Sequence, residues 1–370
     1  MEYIITEEMI KNSLVSSGDV SLFNKVIEKA ESGQDITIAF LGGSITQGCN
    51  ATNEDNSYVS RTYSWFRNTF TNINVKCINA GVGATGSIIG VHRVEKQVLS
   101  HNPDILFIDF AVNDKNNIYD KIAYESLIRR ILSLDNPPAI IEIFMSNFDG
   151  SNVQEQQIEV GRKYNIPMIS FRDSIHDEIS KGNLKWEDVG TDEVHPNDYG
   201  HFIISELLVD FIKNKLNKKS DSYIEDKKIE LGKPAFGENY INGSIKNNKN
   251  LEVDINNGFI EDPEGFQVFR DGWKCNKVKR DNANLIIDLE GKNIFLLYKK
   301  SIQKTAGKIK VKVDENEVTI IDTFFENGWG DYSATELLVE GEVSSKHRVE
   351  INLIDDECKN EIYIMGFLVS

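Results

Sequence analysis

The chain has 370 residues, with 41 Lys and Arg against 58 Asp and Glu, giving a formal net charge of −17. Hydrophobic residues make up 40% and charged residues 27%, which excludes a disordered tail, a collagen-like repeat and a disulfide-dense miniprotein. The length suits two domains with cores of their own, and the acid excess argues against nucleic acid as a partner.

The first residues, MEYIITEEMIKNSLVSSGD, alternate apolar and charged side chains. They lack the basic stretch and following apolar run of a secretory signal, so the expectation is a cytoplasmic protein. No run approaches the ~18 apolar residues of a membrane span, so no membrane partner is expected.

From about residue 19 to 220, short apolar runs alternate with longer amphipathic ones. Ile36–Leu41, Val75–Ala80, Ile105–Phe110, Ala139–Phe144 and Ile166–Phe171 read as strands, hydrophobic throughout as parallel strands covered on both faces are. Helices are predicted near 58–71, 87–100, 119–134, 152–164 and 198–217. This alternation predicts a doubly wound parallel-sheet α/β/α sandwich over residues 1–220. In such a sheet, ligands bind beyond the carboxyl ends of the strands.

Residues 221–250 are charged, Asn-rich and poor in large apolar side chains, and read as a linker in which Leu231–Phe236 is a candidate strand. Residues 251–370 break into short alternating segments separated by turns such as EGK, DEN and ENGWGD. That texture predicts a C-terminal all-β sandwich domain. Cys49, Cys77, Cys275 and Cys358 are scattered without a CxxC pair, which suits a reducing compartment or a fold that does not need disulfides, and offers no zinc-site spacing.

Four segments carry candidate chemistry. LGGSITQG (41–48) ends the first strand, and its glycines permit a sharp turn that presents the Ser44 hydroxyl and N–H at the sheet edge. A phosphate loop would require GxxxxGK[ST], and no lysine follows. NAGVGATGS (79–87) follows the second strand, where exposed N–H groups suit a developing oxyanion. FAVND places Asn113 after the third strand, either as a further oxyanion donor or as a cap on the next helix. In TDEVHPNDYGH (191–201), Asp192 stands three residues before His195, close enough to fix its tautomer, and Pro196 keeps the loop out of the following helix.

GGSIT, NAGVGATGS, AVND and DEVHP, in this order, resemble the four blocks of the SGNH, or GDSL-like, hydrolase family over about residues 19–217. The GGSITQG form is similar to the branch that includes many carbohydrate deacetylases. The resemblance implies Ser44 as nucleophile, His195 as general base and Asp192 orienting it. It also implies an oxyanion hole from the Ser44 N–H, a second-block backbone N–H and the Asn113 side chain. Ala84 stands where the family has glycine; if that position needs φ > 0, Gly83 is the alternative donor. No metal or cofactor is called for.

The resulting expectation is a serine esterase that removes O-acyl groups, acetyl above all, from a carbohydrate through an acyl-enzyme. The alternatives are a general short-chain or lipid esterase, or a non-catalytic carbohydrate-binding protein with a relict hydrolase domain. His92 and His201 read as packed or surface residues, and Glu193 as a solvated charge. Trp186 and Asn147 are candidate pocket residues. Phe324, Phe325, Trp329 and Tyr332 form an aromatic-rich segment, either a platform for a sugar ring or ordinary packing.

Overall fold

The computed structural model describes residues 3–216, 229–275, 283–314, 318–354 and 362–370. One compact unit runs to Glu238, apart from Val91–Arg93, which group with a second unit that begins at Asn239.

The first unit is built on a six-stranded sheet of β1 (Leu14–Ser16), β2 (Ile36–Gly42), β3 (Val75–Gly81), β4 (Ile105–Asp109), β5 (Ala139–Phe144) and β6 (Met168–Ser170), in the order β1-β6-β5-β4-β2-β3. The neighbours from β6 to β3 run parallel, while β1 joins β6 antiparallel at the edge. Ile36, Ile38, Ala39, Phe40 and Leu41 are all within 1% of complete burial, and Phe40 stacks on Phe107 at 4.5 Å. These central strands are therefore apolar on both faces, as the continuous hydrophobic runs require. The helices Tyr58–Thr69, Ser87–Gln97, Ile118–Leu132, Gln154–Lys163 and Asp198–Leu216 fall where the periodicity places them.

β2 pairs with β3 on one side and β4 on the other. The chain leaves β2 towards β3, then crosses back to β4. This reversal opens a crevice at the carboxyl ends of β2 and β4.

Three local features differ from the sequence reading. The fifth strand spans only Met168–Ser170; Phe171 already begins the helix Phe171–Ser180, whose N-terminus Ser170 caps by accepting the Asp173 N–H at 2.9 Å. The helix Ser21–Glu31 buries Phe23, Val26, Ile27 and Ala30 at helical spacing. Leu231–Phe236 is not a strand. Its Leu231 carbonyl accepts from Arg129, while the N–H groups of Ala235, Phe236 and Gly237 converge on the Glu125 carboxylate at 2.6, 2.6 and 3.0 Å. Three backbone donors on one carboxylate replace the ladder that a strand would have made.

The second unit is an antiparallel β-sandwich whose strands are β7 (Ser244–Lys246), β8 (Val253–Asn257), β9 (Phe259–Asp262), β10 (Gly272–Cys275), β11 (Asn284–Lys300), β12 (Lys308–Val313), β13 (Val318–Asp322), β14 (Tyr332–Leu353) and β15 (Tyr363–Val369). EGK is not a turn: β11 runs straight through Glu290, Gly291 and Lys292, with a register shift between Gly291 and Asn293. Before the shift β11 pairs with β8 and the end of β14; after it, with the start of β14 and with β15. Long bulged strands that change partners in this way carry the chain between the two layers. Cys358 and part of the DEN turn lie outside the described residues.

Candidate active site

β2 ends at Gly42, level with Gly81 on β3 and Asp109 on β4. Ser44 opens the four-residue helix Ser44–Gln47, which stops at Gly48 in the left-handed region (φ +98°). Beneath the turn, Thr46 Oγ1 donates to Asp109 at 2.9 Å and lies 2.8 Å from the Tyr58 hydroxyl. Burial pushes the Asp109 carboxyl up to about 7 against the effect of the Thr46 bond.

His195 meets Ser44: its Nε2 lies 2.8 Å from Ser44 Oγ. On the other side of the ring, Nδ1 lies 2.8 and 3.0 Å from the two carboxylate oxygens of Asp192. Asp192 Oδ1 also accepts the N–H groups of Val194 and His195, each at 2.8 Å. Partial burial alone would raise its pKa, but those bonds and the imidazole bring it down to about 2. An ionised carboxylate on Nδ1 holds the proton there and leaves Nε2 as the acceptor facing the hydroxyl. Pro196 precedes the helix Asp198–Leu216, which Asn197 caps through bonds from the Tyr199 and Gly200 N–H groups.

The remaining segments sit at the same edge. Asn113 follows β4, and neither end of its carboxamide has a hydrogen-bond partner among the described residues, although Oδ1 is buried. It does not cap the next helix; Asn117 does, accepting the Asp120 N–H at 2.9 Å. Asp114, one residue on, turns inward and accepts from the Ser87 N–H at 2.6 Å, from Ser87 Oγ at 2.5 Å and from Gln157 at 2.9 Å. That ties the third block to the end of the second. Burial, with Asp120 nearby, holds the Asp114 carboxyl well above the usual carboxylate range.

In the second block, Ala84 has φ +58°, so the position does adopt the left-handed conformation that favours glycine. The Gly83 N–H is already engaged, donating to Gln47 Oε1 at 2.9 Å. The N–H groups of Ala84 and Ser44 have no hydrogen-bond partner among the described residues.

Of the other candidates, His201 is buried between the Tyr58 N–H, which it accepts through Nδ1 at 3.3 Å, and the Cys49 carbonyl, to which Nε2 donates at 3.1 Å. His92 is likewise buried, and Glu193 is exposed. Trp186 supports the His195 loop, its Nε1 donating to the Asp192 carbonyl at 2.7 Å. Asn147 turns back on Ser151, and the adjacent Phe148 N–H bonds the Glu193 carbonyl at 2.9 Å. Asn50 escaped the sequence reading. It stands at φ +65°, and its Nδ2 reaches Asp192 Oδ2 at 2.9 Å and Thr191 Oγ1 at 2.5 Å; nothing in TQGCN signals that contact.

Glu8, Asp177 and Glu178 bring carboxylate oxygens within 4.8 Å of one another, but Lys181 pairs with all three at 2.6, 2.6 and 3.7 Å and supplies the cation itself. Among the described residues, no helix is long and apolar enough to cross a membrane.

Residues 40–203 match the family described as GDSL-like Lipase/Acylhydrolase. Among solved structures, a two-domain esterase active on acetylated mannans aligns with a TM-score of 0.91 and 28% identity, over 98% of this chain and 98% of that one. The same type of esterase co-crystallised with mannopentaose aligns with a TM-score of 0.88 and 28% identity, over 98% of this chain and 97% of that one. No curated protein sequence matches the chain.

Proposed function

Residues 40–203 belong to the GDSL-like lipase/acylhydrolase family and the protein is a carboxylic ester hydrolase, from which we propose that it removes O-acetyl groups from a carbohydrate by acyl transfer through Ser44. The observation that carries the mechanism is the unbroken contact from Ser44 Oγ through His195 to Asp192.

Ser44 Oγ attacks the ester carbonyl while His195 Nε2 takes the hydroxyl proton. Asp192, ionised at any pH above about 2, stabilises the imidazolium without taking its proton. The tetrahedral oxyanion is received by the Ser44 N–H, the Ala84 N–H and Asn113 Nδ2, donors that the protein itself leaves unused. Collapse breaks the bond to the sugar oxygen, which leaves with the proton from His195. Water then attacks the acyl-enzyme, giving its proton to His195, and acetate departs as Ser44 Oγ is reprotonated. Preorganised donors of this kind lower the barrier because they need no rearrangement as charge develops.

The substrate class rests on similarity over almost the whole chain to an esterase active on acetylated mannans, together with the GGSIT form of the first block. Ser44→Ala tests the mechanism. It removes the bond-forming atom, so kcat on an aryl acetate should fall by orders of magnitude and fluorophosphonate labelling should disappear, with unfolding unchanged. Retention of more than about a tenth of kcat would sink the mechanism. Acetate release from acetylated mannooligosaccharides, compared with hydrolysis of longer acyl esters, tests the substrate. Preference for the longer acyl chains would make it a general esterase instead.

A further inference from the structure

We infer that Asn50 is a positioning residue of the Ser44–His195–Asp192 site, locking the acid loop to the nucleophile segment and sharing the Asp192 charge. The inference rests on the reading of Ser44 as nucleophile.

The starting point is the exposure of Asp192. Its side chain is 48% accessible and that of His195 only 25%. A carboxylate so open to water is free to rotate and to be hydrated, so its orientation must come from specific partners. Oδ1 has two, the Val194 and His195 N–H groups, and both belong to the same turn. They fix the carboxylate within its loop but not relative to Ser44.

Asn50 supplies the link to Ser44. One Nδ2 hydrogen reaches Asp192 Oδ2 and the other reaches Thr191 Oγ1. Thr191 in turn closes the loop, its N–H donating to the His195 carbonyl at 3.0 Å. At its other end, Asn50 follows Cys49, whose N–H bonds the Ser44 carbonyl at 3.0 Å. The contacts therefore form a closed ring running from Ser44 through Cys49, Asn50, Asp192 and His195 back to Ser44. The backbone of Asn50 at φ +65° is the bend that aims the amide; asparagine tolerates this conformation better than any residue except glycine.

Without the amide, the loop carrying His195 is held less firmly against Ser44, so fewer encounters have reactive geometry and kcat falls while KM stays.

Asn50→Gly separates this effect from mere turn formation, because glycine accepts φ +65° without strain. Tm should fall by no more than a few degrees, while kcat falls about tenfold with KM within twofold, as for one lost charge-assisted hydrogen bond. Asn50→Asp, which keeps the preference for the bend but sets a second carboxylate beside Asp192, should lower kcat at least as far with KM again little changed. Asn50→Gly with wild-type kcat, or with kcat and KM both altered in step with a large fall in Tm, would reduce Asn50 to a turn residue. Ser44→Ala measured alongside keeps the two readings apart: if that variant stays active, the nucleophile assignment fails, whatever Asn50 does.

Discussion

A Cβ added to Gly43 would lie 2.1 Å from Oδ1 of Asn113 and 2.9 Å from its Cγ. The carboxamide therefore rests directly on the backbone that leads into Ser44, with Oδ1 against the glycine and Nδ2 further out, 3.3 Å from the same point. Only glycine permits that approach, so one residue type at position 43 sets the orientation of a side chain 70 residues on.

The first prediction follows from that contact. Asn113→Ala should lower kcat by roughly 10²–10³ with a smaller change in KM, as for one lost oxyanion donor. Gly43→Ala should reproduce much of the loss, because its methyl group displaces the carboxamide. In the double variant the clash has no target, so its kcat should match that of Asn113→Ala alone. Additive losses would mean that Gly43 acts on Ser44 directly.

Ala84 gives the second prediction. Left-handed backbone costs a residue with a Cβ about 1–2 kcal/mol, whereas glycine loses about 0.5–1 kcal/mol more entropy on folding. Ala84→Gly should therefore leave stability unchanged or raise it by up to about 1 kcal/mol, and kcat should stay within twofold because the N–H remains. A clear fall in Tm would show that the Ala84 methyl makes contacts worth more than the strain.

How far this architecture was legible depended on the range of the contact that fixed each part. Ser44 and Asn113 follow strands whose apolar runs are unmistakable, so their place at one sheet edge follows from a parallel sheet alone; His195 follows no strand, and its spacing from Asp192 and its place before the last helix are what mark it. The engagement of the Gly83 N–H has no such mark, because it depends on Gln47, 36 residues earlier in the chain. Asn50 escaped for a similar reason: its partner is 142 residues away. EGK looked like a turn because Gly291 signals a break in local sequence, but the cross-strand partners on β14 carry β11 through it as a bulge. β1 is three residues whose pairing with β6 no local pattern marks.

The third prediction concerns acid stability. Burial pushes His201 down to about 4, against about 6.5 for a free histidine. Its bonds fix the neutral form, with Nδ1 accepting from Tyr58 and Nε2 donating to Cys49. A base whose folded pKa is depressed is protonated more readily in the unfolded chain, so the stability it contributes is present above pH 6.5 and lost as pH falls through about 4. Asp109, raised to about 7, has the opposite slope over the same range, but it contributes equally to wild type and variant and cancels in their difference. The fall in Tm from pH 7.5 to 4.5 should thus be smaller in His201→Gln than in wild type, even if the variant starts lower. Parallel curves would place the acid sensitivity elsewhere.

The last prediction concerns the β-sandwich unit, where Trp329 is 70% exposed. Its indole stacks on Tyr332 at 5.3 Å, and Phe325 meets both rings edge-on at 5.9 and 5.3 Å. The base of the loop is fixed by Asp331, which accepts from Ser301 Oγ at 2.7 Å and the Ile302 N–H at 2.9 Å and pairs with Lys299 at 2.7 Å. Phe325 and Tyr332 are thus packing residues, while Trp329 offers a supported flat apolar face to solvent. Such a face suits the C–H side of a sugar ring, and covering it contributes about 1 kcal/mol per ~40 Å² of apolar surface. Trp329→Ala should weaken calorimetric binding of mannooligosaccharides about 3- to 10-fold and leave kcat/KM on a small aryl acetate within about twofold. Loss of activity on the aryl acetate with a lowered Tm would make Trp329 structural. Unchanged oligosaccharide binding would leave the exposed indole outside sugar recognition.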